Sequence, residues 1–387
     1  MKILTVTWNI FEKNKIEISK GGFSVMVANI CEYIGKRVDS YLFLGAEHFP
    51  HMKLGNINVI DNGVFFSKER LAVNIDEWRQ GMWNEFENAI RSNNIEFVFI
   101  HGAGAFNLGC VEICRRLHVP FAVVLHGCLL QQQKYIKPEN VDMEKKMLSI
   151  PNIDIITVSH ECRMEFLQNY PNILSNQISV IVNGATEMTS ADLVDRQKEK
   201  DYNFIGKKNL VCVGSLGPNK NQIQLVRALS LLPTNYRKKI HVLLCGKDSS
   251  RFPTLEILKE EILKRNLDGC VTYIGAIPVN EMQKVYNSAD GLVLPSINEG
   301  LSLVVLEAIQ HGKPAIMFGD NETASDVNSP DATILVRERT DKALADAIIK
   351  WYDKKWDKDK ILEYSKLFTM ERVADDYIRY CETHGKK

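Results

Sequence analysis

The sequence predicts an α/β protein of two domains, each a mainly parallel sheet with helices on its faces. Short apolar runs alternate with amphipathic stretches from end to end, which is the pattern of strands buried between helices. At 387 residues the chain is longer than one core usually serves. A polar, charged interval around Asp195-Arg196-Gln197-Lys198-Glu199-Lys200-Asp201 divides the alternation into two series.

Ile3 to Thr7 reads as the first buried strand. Gly21 and Gly22 follow a polar loop and precede a helix over Phe23 to Ile34, ended by Gly35. Further strands are expected at Tyr41 to Leu44, Phe97 to Ile100, Phe121 to Leu125 and Ile153 to Val158, with helices such as Glu77 to Ser92 and Asn107 to Leu117 between them. Asn183-Gly184 is a turn signal that opens the interval between the series. The second series has strands at Leu210 to Gly214, His241 to Gly246, Val271 to Gly275 and Gly291 to Pro295. From Trp351 onward the chain reads as charged helix, and its Asp357-Lys358-Asp359 is a solvated face rather than a metal motif. Two such series suggest two Rossmann-like domains facing each other, with ligands expected beyond the carboxyl ends of the strands, in the cleft between the halves.

Composition narrows the function. Lys+Arg and Asp+Glu are equal at 48 each, so no global charge recommends a nucleic-acid partner. The longest apolar runs are strand-length, far short of the roughly 20 residues that cross a bilayer. The N-terminus lacks the apolar stretch and cleavage site of a signal peptide, so a cytoplasmic protein is expected. Nine cysteines, an odd number without a CxxC pair, read as reduced and mostly buried thiols.

The segment richest in chemistry runs from Pro295 to Ala308. A strand ends at Pro295, a polar loop with Asn298, Glu299 and Gly300 follows, and Ser302 is positioned to cap a helix reaching His311. Free amides at that helix start favour an anion such as a diphosphate. Glu299 precedes the helix and Glu307 lies inside it, more than one turn apart along the axis. A carboxylate accepts hydrogen bonds from two hydroxyls, so the two could hold the ribose and the hexose of one extended ligand. Taken alone, Glu307 among Val304, Val305, Leu306 and Ala308 could equally turn to solvent.

Glu299 and Glu307, with seven residues between them, resemble the EX7E motif of retaining glycosyltransferases of the two-Rossmann GT-B fold, and the surroundings resemble glycosyltransferase family 4. Other segments agree in order: Gly21-Gly22 with the glycine-rich first loop, Leu125-His126-Gly127 with a His-bearing strand end, Val182-Asn183-Gly184 with the Asn-Gly before the second domain, Val213 to Lys220 with the diphosphate loop, and Ala289 to Ser296 with the lead into EX7E. The resemblance implies that Glu307 binds ribose, that Glu299 meets the donor sugar, and that Gly300, Leu301 and Ser302 offer amides to the phosphates. Lys220 would neutralise the diphosphate beside Gly214, Ser215 and Gly246, and Gly21 and Gly22 would let the first-domain loop approach it. His126 would face the sugar, and His101 could line the acceptor side. Glu299, His126 and Lys220 would be the catalytic group, with Asn298 also touching the donor.

The resemblance further implies domains at 1–185 and 208–365, a linker at 186–207, and a C-terminal helix at 366–387 that packs back on the first domain. One departure stands out: many relatives carry Arg where this chain has Ser215, so Lys247, Arg251 or another cation would have to compensate, and Asn221 replaces a common Gly. The implied reaction is front-face, configuration-retaining transfer of a hexosyl-type sugar from a nucleotide-diphosphate sugar to a hydroxyl acceptor, with neither metal nor cofactor. The rivals are a non-catalytic GT-B subunit that binds glycan or supports a partner transferase, and a sugar-nucleotide epimerase or phosphorylase. A lipid-linked acceptor would bring the protein to the inner face of a membrane, where Lys134, Lys137, Lys145 and Lys146 could form a modest basic face, although solvated lysines are the plainer reading. The donor, the acceptor and the oligomeric state stay open at this level.

Overall fold

The structure is a computed structural model of the chain. It describes all residues except 12–17, 19–21, 47–49, 63–74, 132, 134–135, 187–205, 249–253, 321–322 and 386–387, and all their side chains except those of 75–79 and 280. Gly21, Arg251, Lys134 and most of the expected linker therefore lie outside the described residues. The chain divides into two compact units, Met1–Asn183 with Met370–Lys387, and Gly184–Thr369.

The first unit is built on eight strands: β1 (Lys2–Thr7), β2 (Asp39–Leu44), β3 (Met52–Leu54), β4 (Ile57–Ile60), β5 (Phe97–His101), β6 (Phe121–Leu125), β7 (Ile155–Thr157) and β8 (Ile178–Val180). Their order is β3-β4-β2-β1-β5-β6-β7-β8, parallel except for the β3–β4 hairpin. Strands covered on both faces read as unbroken apolar runs, and β5, buried throughout, is one of them. Strand order reverses around β1, which has β2 on one side and β5 on the other. His101 ends β5 and His126 follows β6, so both histidines stand at the carboxyl edge of this sheet.

The C-terminal helix Met370–His384 belongs to this unit. Its buried residues Met370, Val373, Ala374, Tyr377, Tyr380 and Cys381 recur at helical spacing and form one apolar stripe. Tyr377 meets Phe99 edge-on at 4.8 Å and Tyr380 meets Phe97 at 6.0 Å, ring centre to ring centre. Where the sequence reads charged helix from Trp351 onward, the structure has the helices Asp341–Asp353, Lys358–Ser365 and Met370–His384 in turn. Asp357 explains one break: its side chain accepts from the amides of Asp359 and Lys360 and caps the helix Lys358–Ser365.

The second unit has six parallel strands: β9 (Lys208–Val213), β10 (Ile240–Cys245), β11 (Val271–Gly275), β12 (Gly291–Leu294), β13 (Ala315–Phe318) and β14 (Thr333–Val336). Their order is β11-β10-β9-β12-β13-β14. Successive strands step one way from β9 to β11 and the other way from β12 to β14. The sheet therefore reverses between β9 and β12, where the loops leaving two adjacent strands diverge and open a crevice. Among the described residues no helix is long and apolar enough to cross a membrane.

Candidate active site in the second unit

The two loops at the reversal carry most of the expected residues. The chain leaves β9 through Gly214, Ser215 and the turn ending at Lys220. Gly214 has φ +152° and Gly246, at the end of β10, has φ +154°. A Cβ on Gly246 would lie 2.0 Å from the carbonyl oxygen of Gly214, and one on Gly214 would lie 3.1 Å from Cδ of Lys220. Both positions therefore require glycine: one lets two strand ends close together, and the other lets the lysine stem fold across the backbone. Asn221, at φ +52°, starts the helix Gln222–Ser230 in the left-handed region. Asparagine is one of the few non-glycine residues that tolerate this conformation.

Asn219 joins this loop to the one after β12. Its carbonyl accepts from the Ile297 amide at 2.8 Å, and its side chain both donates to the Asn298 carbonyl at 3.0 Å and accepts from the Asn298 amide at 3.1 Å. From the far side the Arg339 guanidinium donates to the carbonyls of Pro295, Ser296 and Ile297, lies 4.3 Å above the Phe318 ring, and is anchored by Asp320. Held between Asn219 and Arg339, the loop brings Glu299 onto Lys220 as a hydrogen-bonded ion pair. Glu299 is 13% exposed and Lys220 27%, so the pair is partly screened from water yet reachable.

Glu307 lies on the helix Leu303–Gln310, and the structure decides between the two readings of it. It does not turn to solvent; Tyr286 donates to its Oε2 at 2.6 Å. Burial pushes its carboxyl up to about 7, against the opposing pull of the tyrosine hydrogen bond. The His311 ring lies tilted against the Tyr286 ring at 4.9 Å between centres, and its Nδ1 lies 2.7 Å from the Glu307 carbonyl oxygen.

Ser302 needs correcting in two respects. It occupies the position before the helix, but its side chain makes no capping hydrogen bond. Its amide is also already donated, to the Thr323 hydroxyl at 2.9 Å, and the residue is 3% exposed. The amide it was expected to offer a phosphate is thus spent on holding the loop. Leu301 is buried and Gly300 partly exposed. Ser215 is exposed, and Lys247, one of the cations expected to compensate, is exposed with its carbonyl accepting from Leu216 at 2.9 Å.

In the first unit, Gly22 begins the helix Gly22–Gly35. The Phe23 ring meets His126 edge-on at 4.8 Å. His101 does not line an acceptor surface: it is 2% exposed, and its Nδ1 lies 2.9 Å from Nε2 of His126. Burial lowers both imidazoles, His126 to about 4, so both are neutral near pH 7.

Four participants escape the sequence reading. Asn219 lies inside the quoted turn, and its Pro-Asn character was the available signal. Tyr286, Thr323 and Arg339 act across 21 to 44 residues of chain, which no local pattern reports.

Residues 194–367 match the family described as Glycosyl transferases group 1. A D-inositol 3-phosphate glycosyltransferase of Corynebacterium glutamicum is 25% identical over 209 residues, which are 53% of this chain and 50% of that one. The O-antigen chain mannosyltransferase RfbU of Salmonella typhimurium is 24% identical over 42% of this chain and 41% of its own length. The chain thus spans about half the length of the curated relatives it matches. Among solved structures, sucrose-phosphate synthase from Thermosynechococcus elongatus aligns over 99% of this chain and 98% of that one, with TM-score 0.77 and 17% identity. Anabaena HepE in complex with UDP aligns over 99% of this chain and 100% of its own, with TM-score 0.74 and 15% identity. The chain therefore has the two Rossmann-like units of GT-B proteins, and residues 194–367 are similar to the glycosyl transferases group 1 family.

Proposed function

We propose that this protein is a retaining glycosyltransferase that moves a hexosyl-type sugar from a nucleotide-diphosphate sugar to a hydroxyl acceptor. The observation that carries the reading is the pairing of the Gly214–Lys220 and Pro295–Ser302 loops at the strand-order reversal, with Lys220 against Glu299. A nucleotide-binding role is supported by the HepE complexes with UDP and with UDP-glucose. The relatives are named a D-inositol 3-phosphate glycosyltransferase and an O-antigen chain mannosyltransferase, and this supports a polyol or glycan acceptor here.

In this reading the ribose hydroxyls donate to ionised Glu307, and the diphosphate takes Lys220 from Glu299. That exchange of partners frees Glu299 for the donor sugar as the positive phosphate-binding group turns to the leaving group. The bond from the anomeric carbon to the phosphate oxygen breaks, and the acceptor oxygen bonds to the same face of the ring. The acceptor proton passes to the departing phosphate. Lys220 and the backbone amides stabilise the leaving group where a divalent cation would otherwise serve, so transfer proceeds in chelator. With Ser215 supplying no charge, Lys220 carries that neutralisation largely alone.

The test is thermal unfolding of the full chain against a panel of nucleotides and nucleotide sugars, followed by product analysis with the stabilising donor. Selective stabilisation by one nucleotide-diphosphate sugar, and transfer with retained anomeric configuration, are expected. Stabilisation by none, or by glycans alone, would favour a glycan-binding subunit without catalysis.

A further inference from the structure

A buried histidine and a partly buried one that share one hydrogen bond can arrange their protons in only two ways when both are neutral. Either His101 donates from Nδ1 to a bare Nε2 of His126, or His126 donates from Nε2 to a bare Nδ1 of His101. The first leaves His101 Nε2 as a lone pair, and the second leaves it as an N–H. That nitrogen is buried and has no hydrogen-bond partner. The His101 ring is flanked by the rings of His126 at 5.2 Å and Tyr377 at 6.5 Å, the latter nearly parallel at 19°. An orphaned buried N–H is rarer in proteins than an under-used acceptor, so the first arrangement is favoured. Asn107 holds this strand end in place by donating to the His101 carbonyl at 3.0 Å.

We propose that His101 is a positioning residue whose Nδ1–H donates to His126, fixing His126 as the Nδ1–H tautomer, so that His126 offers the substrate a hydrogen-bond donor and not a base. This rests on the proposed glycosyl transfer, with His126 at the carboxyl edge of the first-unit sheet taken as a substrate contact. With Nε2 occupied, His126 has no free lone pair with which to take a proton, and neutrality of both rings at working pH follows from their burial. The group left to receive the acceptor proton is then the leaving phosphate. Nδ1 of His126 makes no hydrogen bond among the described residues.

The experiment is long-range 1H–15N correlation on the full chain labelled with 15N-histidine, with the His126 signals identified by their loss in His126→Gln. The expected spectrum has His126 Nδ1 protonated and Nε2 bare; a protonated Nε2 overturns the proposal. In His101→Leu the His126 ring should shift toward the Nε2–H form and kcat should fall severalfold. In His101→Asn, whose side-chain amide can donate along the same direction, the Nδ1–H form and most of kcat should return. A His126 tautomer unchanged in His101→Leu would also overturn it. The wild-type and His101→Asn spectra decide the matter should His101→Leu fold poorly. A chain that transfers no sugar would remove the catalytic reading, while the tautomer would still be read from the spectra.

Discussion

Replacing Glu307 by Gln should move stability and nucleotide binding in opposite directions. The wild-type carboxyl sits near 7 in the folded protein against an ordinary 4.5, because burial beside Tyr286 disfavours its charge. The folded state therefore holds the proton more tightly than the unfolded chain, and stability falls as pH rises from about 4.5 through about 7. At about 1.4 kcal/mol per pH unit the loss reaches on the order of 3 kcal/mol above pH 8. Glutamine keeps the shape and an acceptor for the Tyr286 hydroxyl but carries no charge, so it escapes that loss. Denaturant unfolding at pH 4 and pH 8 measures it: Glu307→Gln should match wild type closely at pH 4 and exceed it at pH 8. Binding of a nucleotide sugar should meanwhile weaken, because the ribose loses its charged acceptor. In wild type the ionised fraction climbs about tenfold from pH 6 to pH 8, and affinity should climb with it. The nucleotide sugar is the ligand of choice because its diphosphate does not titrate in this range. A Gln variant less stable than wild type at pH 8, or a stability difference independent of pH, would refute the reasoning.

Glu299→Gln should leave the fold intact, lower kcat by at least an order of magnitude and change nucleotide affinity little, as steady-state kinetics and calorimetry would show. Asn219→Ala removes two side-chain hydrogen bonds between the loops and should cost about 1–3 kcal/mol of stability. It should also raise the KM for the donor, while a KM and a stability equal to wild type would mean that the loops are held otherwise. Tyr377→Ala empties a fully buried site on Phe99; loss of about 3–5 kcal/mol is expected by chemical denaturation, without displacement of the nucleotide site in the second unit. Transfer should survive prolonged chelation, and activity lost in chelator and restored by manganese would contradict the metal-free mechanism.

Strands buried on both faces were legible because their apolar runs have no other use, and Phe121–Leu125 and Val271–Gly275 fall at their expected limits. The β3–β4 hairpin was not read, although Gly55 at φ +56° marks its turn, because strands of three and four residues carry little periodicity. β13 and β14 were also not read. At the site, Glu299, Glu307 and Lys220 were found through motif spacing. The contact between Lys220 and Glu299 arises from adjacency of β9 and β12, and the Tyr286 partner of Glu307 and the Arg339 brace from packing of the segments on either side of β12 and after β14, all of which only the folded unit creates. The diversion of the Ser302 amide and the burial of His101 are likewise tertiary facts: a sequence can mark a loop as polar, but not say which of its donors the protein itself consumes.

The central claim is that the crevice between β9 and β12 seats the donor. Crystals of the full chain soaked with the nucleotide-diphosphate sugar that most raises its unfolding temperature give the most direct test. Density is expected with the diphosphate at Lys220 and the ribose at Glu307, the Lys220–Glu299 contact having opened. Well-defined density at any other place on the chain, with that ion pair still closed, would contradict it.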